Sequence, residues 1–178
     1  MLYSIWVIPP EPIFSQLARI IYGLSQKYIS PIFEPHMTLL GNINNELPEI
    51  ERKVKELATH VDKLELSFGS ISFSTTYFQS VFVRVNSTAK LMQLNLDAKE
   101  IFSMENDVFM PHISLLYGNH DMTIREKATS SLQLPASSFV IREFVITPAV
   151  TNPNQWKHLT TIPFRQTPPS PPRTPDKT

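Results

Sequence analysis

Cysteine is absent from the 178 residues. That absence removes disulfides, thiolate metal ligands and cysteine nucleophiles together, and it fits a reducing, cytoplasmic setting. Net charge is absent too, because 16 Lys and Arg balance 16 Asp and Glu. There is no general basic footprint for long nucleic acid, which would need a local patch made by the fold. No apolar run reaches the length of a membrane span; each is strand-sized and is broken by proline or charge. The run at residues 3–8 lacks the basic flank of a signal peptide and meets Pro9-Pro10-Glu11-Pro12 at once, so it reads as a first strand. Glycine is scarce, four residues against sixteen prolines, so proline is the main punctuation.

What is present points to one globular unit. Hydrophobic residues make up 42% and charged residues 18%, which excludes a disordered chain and a coiled coil. A chain this long buries roughly 70% of its unfolded surface and needs no staples. Residues 1–165 read as a single two-lobed domain. Residues 166–178 carry prolines at 168, 169, 171, 172 and 175 and offer nothing to a core. They read as a disordered, polyproline-like tail, a passive extension rather than a docking motif.

Strand and helix signals alternate through the domain. A strand at 3–8 precedes a helix opened by Pro12, with Ile13, Leu17, Ile20, Ile21, Leu24 and Tyr28 at helical spacing. A strand at 33–40 precedes a helix opened by Pro48, with Ile50, Val54, Leu57 and Val61 on one face, and a strand at 64–73. The second half repeats the rhythm. A strand at 78–85 leads to a helix capped by Ser87 or Thr88, then a strand at 109–116. Thr123-Ile124-Arg125-Glu126 matches a capping box for a short helix ending at Leu132. Strands at 139–147 and 156–163 finish the domain. Each half reads as strand, helix, strand, helix, strand, which predicts two α+β lobes of similar build.

The halves share a motif. Phe33-Glu34-Pro35-His36-Met37-Thr38-Leu39-Leu40 aligns with Phe109-Met110-Pro111-His112-Ile113-Ser114-Leu115-Leu116, with five identities and two conservative pairs. Two of the five histidines fall in it. Residues i and i+2 of a strand share a face, so His36 points with Thr38, and His112 with Ser114. Met37, Leu39, Ile113 and Leu115 then face an apolar layer. Two such strands about a pseudo-twofold axis place two imidazoles and two hydroxyls around one cleft.

That set suits phosphodiester hydrolysis, which needs a base on the attacking water and an acid on the oxygen that leaves in line with it. Imidazole titrates near neutrality, and hydroxyls can donate to the charge that grows on the non-bridging oxygens. No metal is called for, and a cyclic phosphate fits so small an apparatus. A zinc reading fails for want of a third ligand at suitable spacing. A serine triad fails for want of a Gly-x-Ser-x-Gly elbow. His60 reads as surface and His120 as loop. His158, near Trp156, the residues leave undecided.

The chain resembles the 2H phosphoesterase superfamily, whose signature is a pair of His-x-Thr/Ser motifs, and within it the plant and fungal cyclic phosphodiesterases. Tyr3 to Glu11, Phe33 to Thr38, Tyr77 to Phe82 and Phe109 to Tyr117 carry the likeness, which spans most of residues 1–165. The resemblance implies an α+β, bilobal 2H phosphoesterase fold: two pseudo-twofold lobes, each an antiparallel sheet with helices outside, and a central cleft. It implies cofactor-free hydrolysis of nucleoside 2′,3′-cyclic phosphates to 2′-phosphates. It also implies hydrolysis of ADP-ribose 1″,2″-cyclic phosphate, a product of tRNA splicing, to the 1″-phosphate. His36 and His112 would be the acid–base pair and Thr38 and Ser114 the phosphate ligands. Tyr117 would bind phosphate, directly or through water. Trp6 fits the cleft wall and a plain core position equally. The family's plant members can carry redox-responsive cysteines, which this chain lacks. The expected partner is a small cyclic nucleotide, with RNA ends or cyclic oligonucleotides as the alternative, and a nucleotide-binding module without turnover as a second. Nothing calls for a protein partner or for more than a monomer.

Overall fold

A computed structural model describes residues 1–104, 108–134 and 138–165. The proline-rich segment 166–178 lies outside the described residues.

The first helix, α1 (Ile13–Tyr28), buries Ile13, Leu17, Ile21 and Leu24, the stripe read from the sequence. α2 (Leu47–Ala58) has proline in its first turn and buries Ile50, Val54, Leu57 and Ala58. α3 (Ala89–Ile101) is capped by Thr88, whose hydroxyl accepts from the Leu91 N–H at 3.2 Å. α4 (Met122–Ser130) begins after Asp121 and ends before Ser131, so Thr123 lies in the first turn rather than at the cap, and the helix stops short of Leu132. The reason is a buried cation. Arg125 sends its guanidinium to four carbonyls, those of Ser74, Thr76, Gly118 and His120, at 2.5–3.1 Å. That grip sets the start of α4 and ties the chain at 74–78 to the chain at 118–120.

Eight strands form two antiparallel sheets. In chain order they are β1 (Tyr3–Val7), β2 (Met37–Ile43), β3 (Leu64–Phe73), β4 (Val81–Val85), β5 (His112–Leu116), β6 (Ser138–Ile141), β7 (Glu143–Pro148) and β8 (Thr160–Pro163). The sheet orders are β2-β1-β7-β8 and β5-β4-β3-β6. The class is α+β with two four-stranded sheets, as expected. The assignment of one half to one lobe is corrected. β3, from the first half, pairs with β4 and β6 in the second sheet, while β7 and β8 return to complete the first.

The expected strand at 139–147 is two strands that part at Arg142 and join different sheets. Its burial shows why. Phe139 and Ile141 join the core at odd positions, then Phe144 and Ile146 at even ones, while Val145 is buried outside that core, and a strand keeps one parity. The expected strand at 156–163 is reduced to β8, preceded by a 3₁₀ turn, Pro153–Gln155, inside which Asn152 Oδ1 accepts from the Asn154 N–H.

Helices pack on the outer faces, α2 on β7 and β8 and α4 on β3 and β4, with α1 against β5 and α3 against β2 at the junction. One continuous core runs from Ile5 and Val7 through Leu17, Leu64 and Leu115 to Phe144. The inner faces of the two sheets are left to a cleft.

Neither half has a complete sheet of its own. A fragment of residues 1–75 is expected to stay unfolded alone and to gain structure when mixed with residues 76–165, as read by amide dispersion in NMR spectra. A well-dispersed spectrum from the first fragment alone would contradict this topology.

Candidate active site

The site starts from two prolines. Pro35 and Pro111 have no N–H to give to a ladder, so β2 begins only at Met37 and β5 at His112, later than the expected starts at 33 and 109. The carbonyls just before the prolines are thereby open to other donors. His36 Nδ1 donates to the Glu34 carbonyl at 2.7 Å, and His112 Nδ1 donates to the Met110 carbonyl at 2.8 Å. A carbonyl can only accept, so each Nδ1 carries the proton and each Nε2 remains for chemistry. Met37, Leu39, Ile113 and Leu115 are buried in the core, as the strand alternation requires.

A cavity of about 320 Å³ lies between the sheets, and Trp6, His36, Thr38, His112, Ser114 and Tyr117 all line it. Every residue singled out in the sequence is thus brought together. Trp6 resolves its two readings by doing both. It is buried, and its indole stacks on the His36 ring at 3.6 Å and 15°. The two hydroxyls differ. Ser114 Oγ donates to the Phe78 carbonyl at 2.7 Å, whereas the Thr38 hydroxyl has no protein partner among the described residues. Tyr117 stacks on Phe33 at 3.8 Å. Among the described residues, no Lys, Arg, Asp or Glu lines the cavity.

The other three histidines stand apart. His60 pairs with Asp97 at 3.2 Å on the surface. His120 lies against Ser30 Oγ and the Tyr117 carbonyl. His158 pairs with the Glu34 carboxylate at 2.7 Å, behind the backbone that holds His36. Among the described residues, no group of three or more His, Cys, Asp or Glu is placed to hold a metal ion. No helix among them is long and apolar enough to cross a membrane.

A sequence model of the family described as cyclic phosphodiesterase-like protein matches residues 1–162. The chain belongs to this family. It is a phosphodiester hydrolase of the 2H phosphoesterase type. It is 25% identical over 126 residues to a cyclic phosphodiesterase of Arabidopsis thaliana, a match covering 70% of this chain and 68% of that one. It is 31% identical over 116 residues to a 2′,3′-cyclic-nucleotide 3′-phosphodiesterase of Yarrowia lipolytica, covering 61% of this chain and 51% of that one. In fold it is similar to TT0787 of Thermus thermophilus, with a TM-score of 0.65 at 15% identity over 93% of this chain and 99% of the other. It is also similar to E. coli LigT complexed with 3′-AMP, with a TM-score of 0.60 at 16% identity over 93% and 98%.

The cyclic phosphodiesterase-like site contains residues the sequence reading passed over. Trp156, expected only as a strand residue, donates its indole N–H to the Val150 carbonyl at 2.7 Å and stands edge-on to both Trp6 and His36. Its signal was weak, a lone tryptophan after an Asn/Pro turn. Gln79 lies in a segment that carries the family resemblance, and its amide nitrogen sits 3.5 Å from His112 Nε2. Gly41, Asn42 and the chain at 148–151 complete the wall. Asn42 holds a φ of 57°, a conformation asparagine tolerates better than most residues.

Burial dominates the electrostatics of both imidazoles. It lowers His36 from 6.5 to about 4, opposed by the Glu34 carbonyl and assisted by His112 and His158. It lowers His112 as well, opposed by the Met110 carbonyl and assisted by Arg84. It raises the Tyr117 hydroxyl above the ordinary phenol range, opposed by the nearby Ser114 side chain, so that group keeps its proton.

Between pH 6.5 and 4 the unfolded chain protonates His36 while the folded one does not, so the unfolded state binds more protons and stability falls on acidification. A shift of this size is worth about 3 kcal/mol at its limit. In His36→Asn the loss of stability between pH 6.5 and 4 is expected to shrink by a large part of that amount, read by urea unfolding at each pH. An unchanged slope would show that His36 is not held neutral by its burial.

Proposed function

We propose that this protein hydrolyses nucleoside 2′,3′-cyclic phosphates to 2′-phosphates, and ADP-ribose 1″,2″-cyclic phosphate to the 1″-phosphate, with His36 and His112 as the acid–base pair. One observation carries the reading. Two imidazoles from two sheets meet in one cavity, each with its Nδ1 proton tied to backbone; His36 Nε2 has no protein partner among the described residues and His112 Nε2 meets only the Gln79 amide, at 3.5 Å. The relatives named cyclic phosphodiesterase and 2′,3′-cyclic-nucleotide 3′-phosphodiesterase support the substrate class.

The chemistry follows from that arrangement. One imidazole takes a proton from water at its Nε2 as the water oxygen bonds to phosphorus. The other gives its Nε2 proton to the ribose oxygen as the bond from that oxygen to phosphorus breaks. The Thr38 hydroxyl is free to donate to a non-bridging oxygen. Ser114 joins it only by turning its O–H away from the Phe78 carbonyl. The cyclic diester carries one negative charge, and the cavity answers with one imidazolium. That anion favours the charged imidazole, so binding raises the depressed pKa of the acid.

Replacing either His36 or His112 by alanine is expected to cut kcat by at least ~100-fold. Full activity in either variant would refute the two-histidine mechanism. EDTA is expected to leave wild-type turnover of 2′,3′-cyclic AMP unchanged, and loss of turnover that returns with added metal would refute the metal-free reading.

The pH profile carries a sign. The active free enzyme holds one proton across two imidazoles that both titrate below 6.5, so kcat/KM should be bell-shaped with its maximum on the acid side of 6.5. The kcat profile should peak at higher pH, because the bound anion raises the pair. Coincident optima, or a flat kcat/KM from pH 4 to 9, would contradict this account.

A further inference from the structure

The chain at 149–159 carries Trp156 to the catalytic cavity, and backbone hydrogen bonds fasten it to the sheet only at its ends. The Ala149 N–H donates to the Leu2 carbonyl and the Leu159 N–H to the Ile146 carbonyl, both at 2.9 Å. Between those points its hydrogen bonds are internal, like that from the Trp156 indole to the Val150 carbonyl, with one exception among the described residues. His158 Nε2 meets the Glu34 carboxylate at 2.7 Å. A carboxylate can only accept, so Nε2 donates. We propose that Glu34 is a positioning residue for the two-histidine reaction, its carboxylate latching His158 so that Trp156 is held against the His36 imidazole. The inference rests on the two-histidine reading and deepens it.

Glu34 reaches His36 by two routes. Its carbonyl accepts the Nδ1 proton and fixes the tautomer. Its carboxylate holds His158, two residues beyond Trp156. The Trp156 indole stands edge-on to His36 at 5.2 Å, to Trp6 at 4.9 Å and to Tyr117 at 6.3 Å. Trp6 covers one face of the imidazole and Trp156 closes its side, so the two indoles keep water from the ring. That burial is the largest cause of the depressed His36 pKa, and His158 adds to it.

The latch itself is open to solvent, with the His158 and Glu34 side chains 43% and 29% exposed. An ion pair so placed adds little to global stability. Losing it leaves the buried core intact and acts on where the wall stands. A displacement of about 1 Å beside reacting groups is enough to slow a reaction by up to about 100-fold.

The test is a double-mutant cycle on turnover of 2′,3′-cyclic AMP, with Glu34→Ala, His158→Ala and the two combined. Each single variant is expected to lower kcat about tenfold with KM within about twofold, and the combination to be no worse than either alone. Glu34→Gln keeps an acceptor and His158→Gln keeps a donor, so both are expected to retain most of the activity. A second readout is the pKa of His36, followed by NMR of its ring. Charge alone predicts opposite signs, a fall on losing the carboxylate and a rise on losing His158. The latch predicts a rise in both, because either loss lets water reach the ring. Losses that add in the cycle, or His36 shifts of opposite sign, would overturn the latch. Thermal unfolding checks the fold of each variant. Should Glu34→Ala not fold, His158→Ala against His158→Gln decides, and equal kcat in that pair would overturn the proposal. If the wild type turned over no cyclic phosphate, the catalytic reading would fail, while the His36 titration, which needs no substrate, would still decide the latch.

Discussion

Each imidazole is held by a hydrogen bond from its Nδ1 to the carbonyl two residues before it, and the rest of the site is arranged about that bond. It selects the tautomer, orients the ring and leaves Nε2 as the nitrogen not tied to backbone. Proline makes the bond available. A residue with no N–H delays the ladder, and the carbonyl before it is left for the side chain that follows. Trp6 then braces the His36 ring from one face and Trp156 from its edge. Phe82 stands edge-on to the His112 ring from the neighbouring strand. The same device built twice, on strands from two sheets, gives a near-symmetric pair, and the proposed reaction uses one member as acid and the other as base.

Charge is the second constraint. Among the described residues the cavity wall holds none with a permanent charge, so the charge they give it is set by protons on the two imidazoles. Burial makes two protons costly, and a single proton matches the single charge of a cyclic phosphodiester. The monoester product carries close to two negative charges at neutral pH. In the proposed reaction a site matched to the diester is poorly matched to this product, and the mismatch favours departure.

The sequence displayed the chemistry more openly than the architecture. His36, Thr38, His112 and Ser114 could be paired because i and i+2 share a strand face and the motif occurs twice. The helix stripes were legible for the same local reason. Sheet membership was not, because β3 leaves its half through pairings distant in the chain. One clue was present and unread, the shift from odd to even core positions across Arg142 that marks the step from one sheet to the other. α4 was misplaced because a capping pattern at Thr123 competes with a buried Arg125 whose acceptors lie on distant loops. Trp156 and the Glu34–His158 pair had no local signature, since both depend on the chain at 149–159 folding back beside residues 33–36.

The returning strands have a consequence for how the molecule is made. β1 lies between β2 and β7, and β7 is residues 143–148. While a ribosome is still producing the middle of the chain, β1 has one partner and one bare edge, with Ile5 and Val7 awaiting their cover. The sheet that carries His36 therefore closes only after residues 143–148 have emerged, and until then β1 offers an unpaired edge to any other strand.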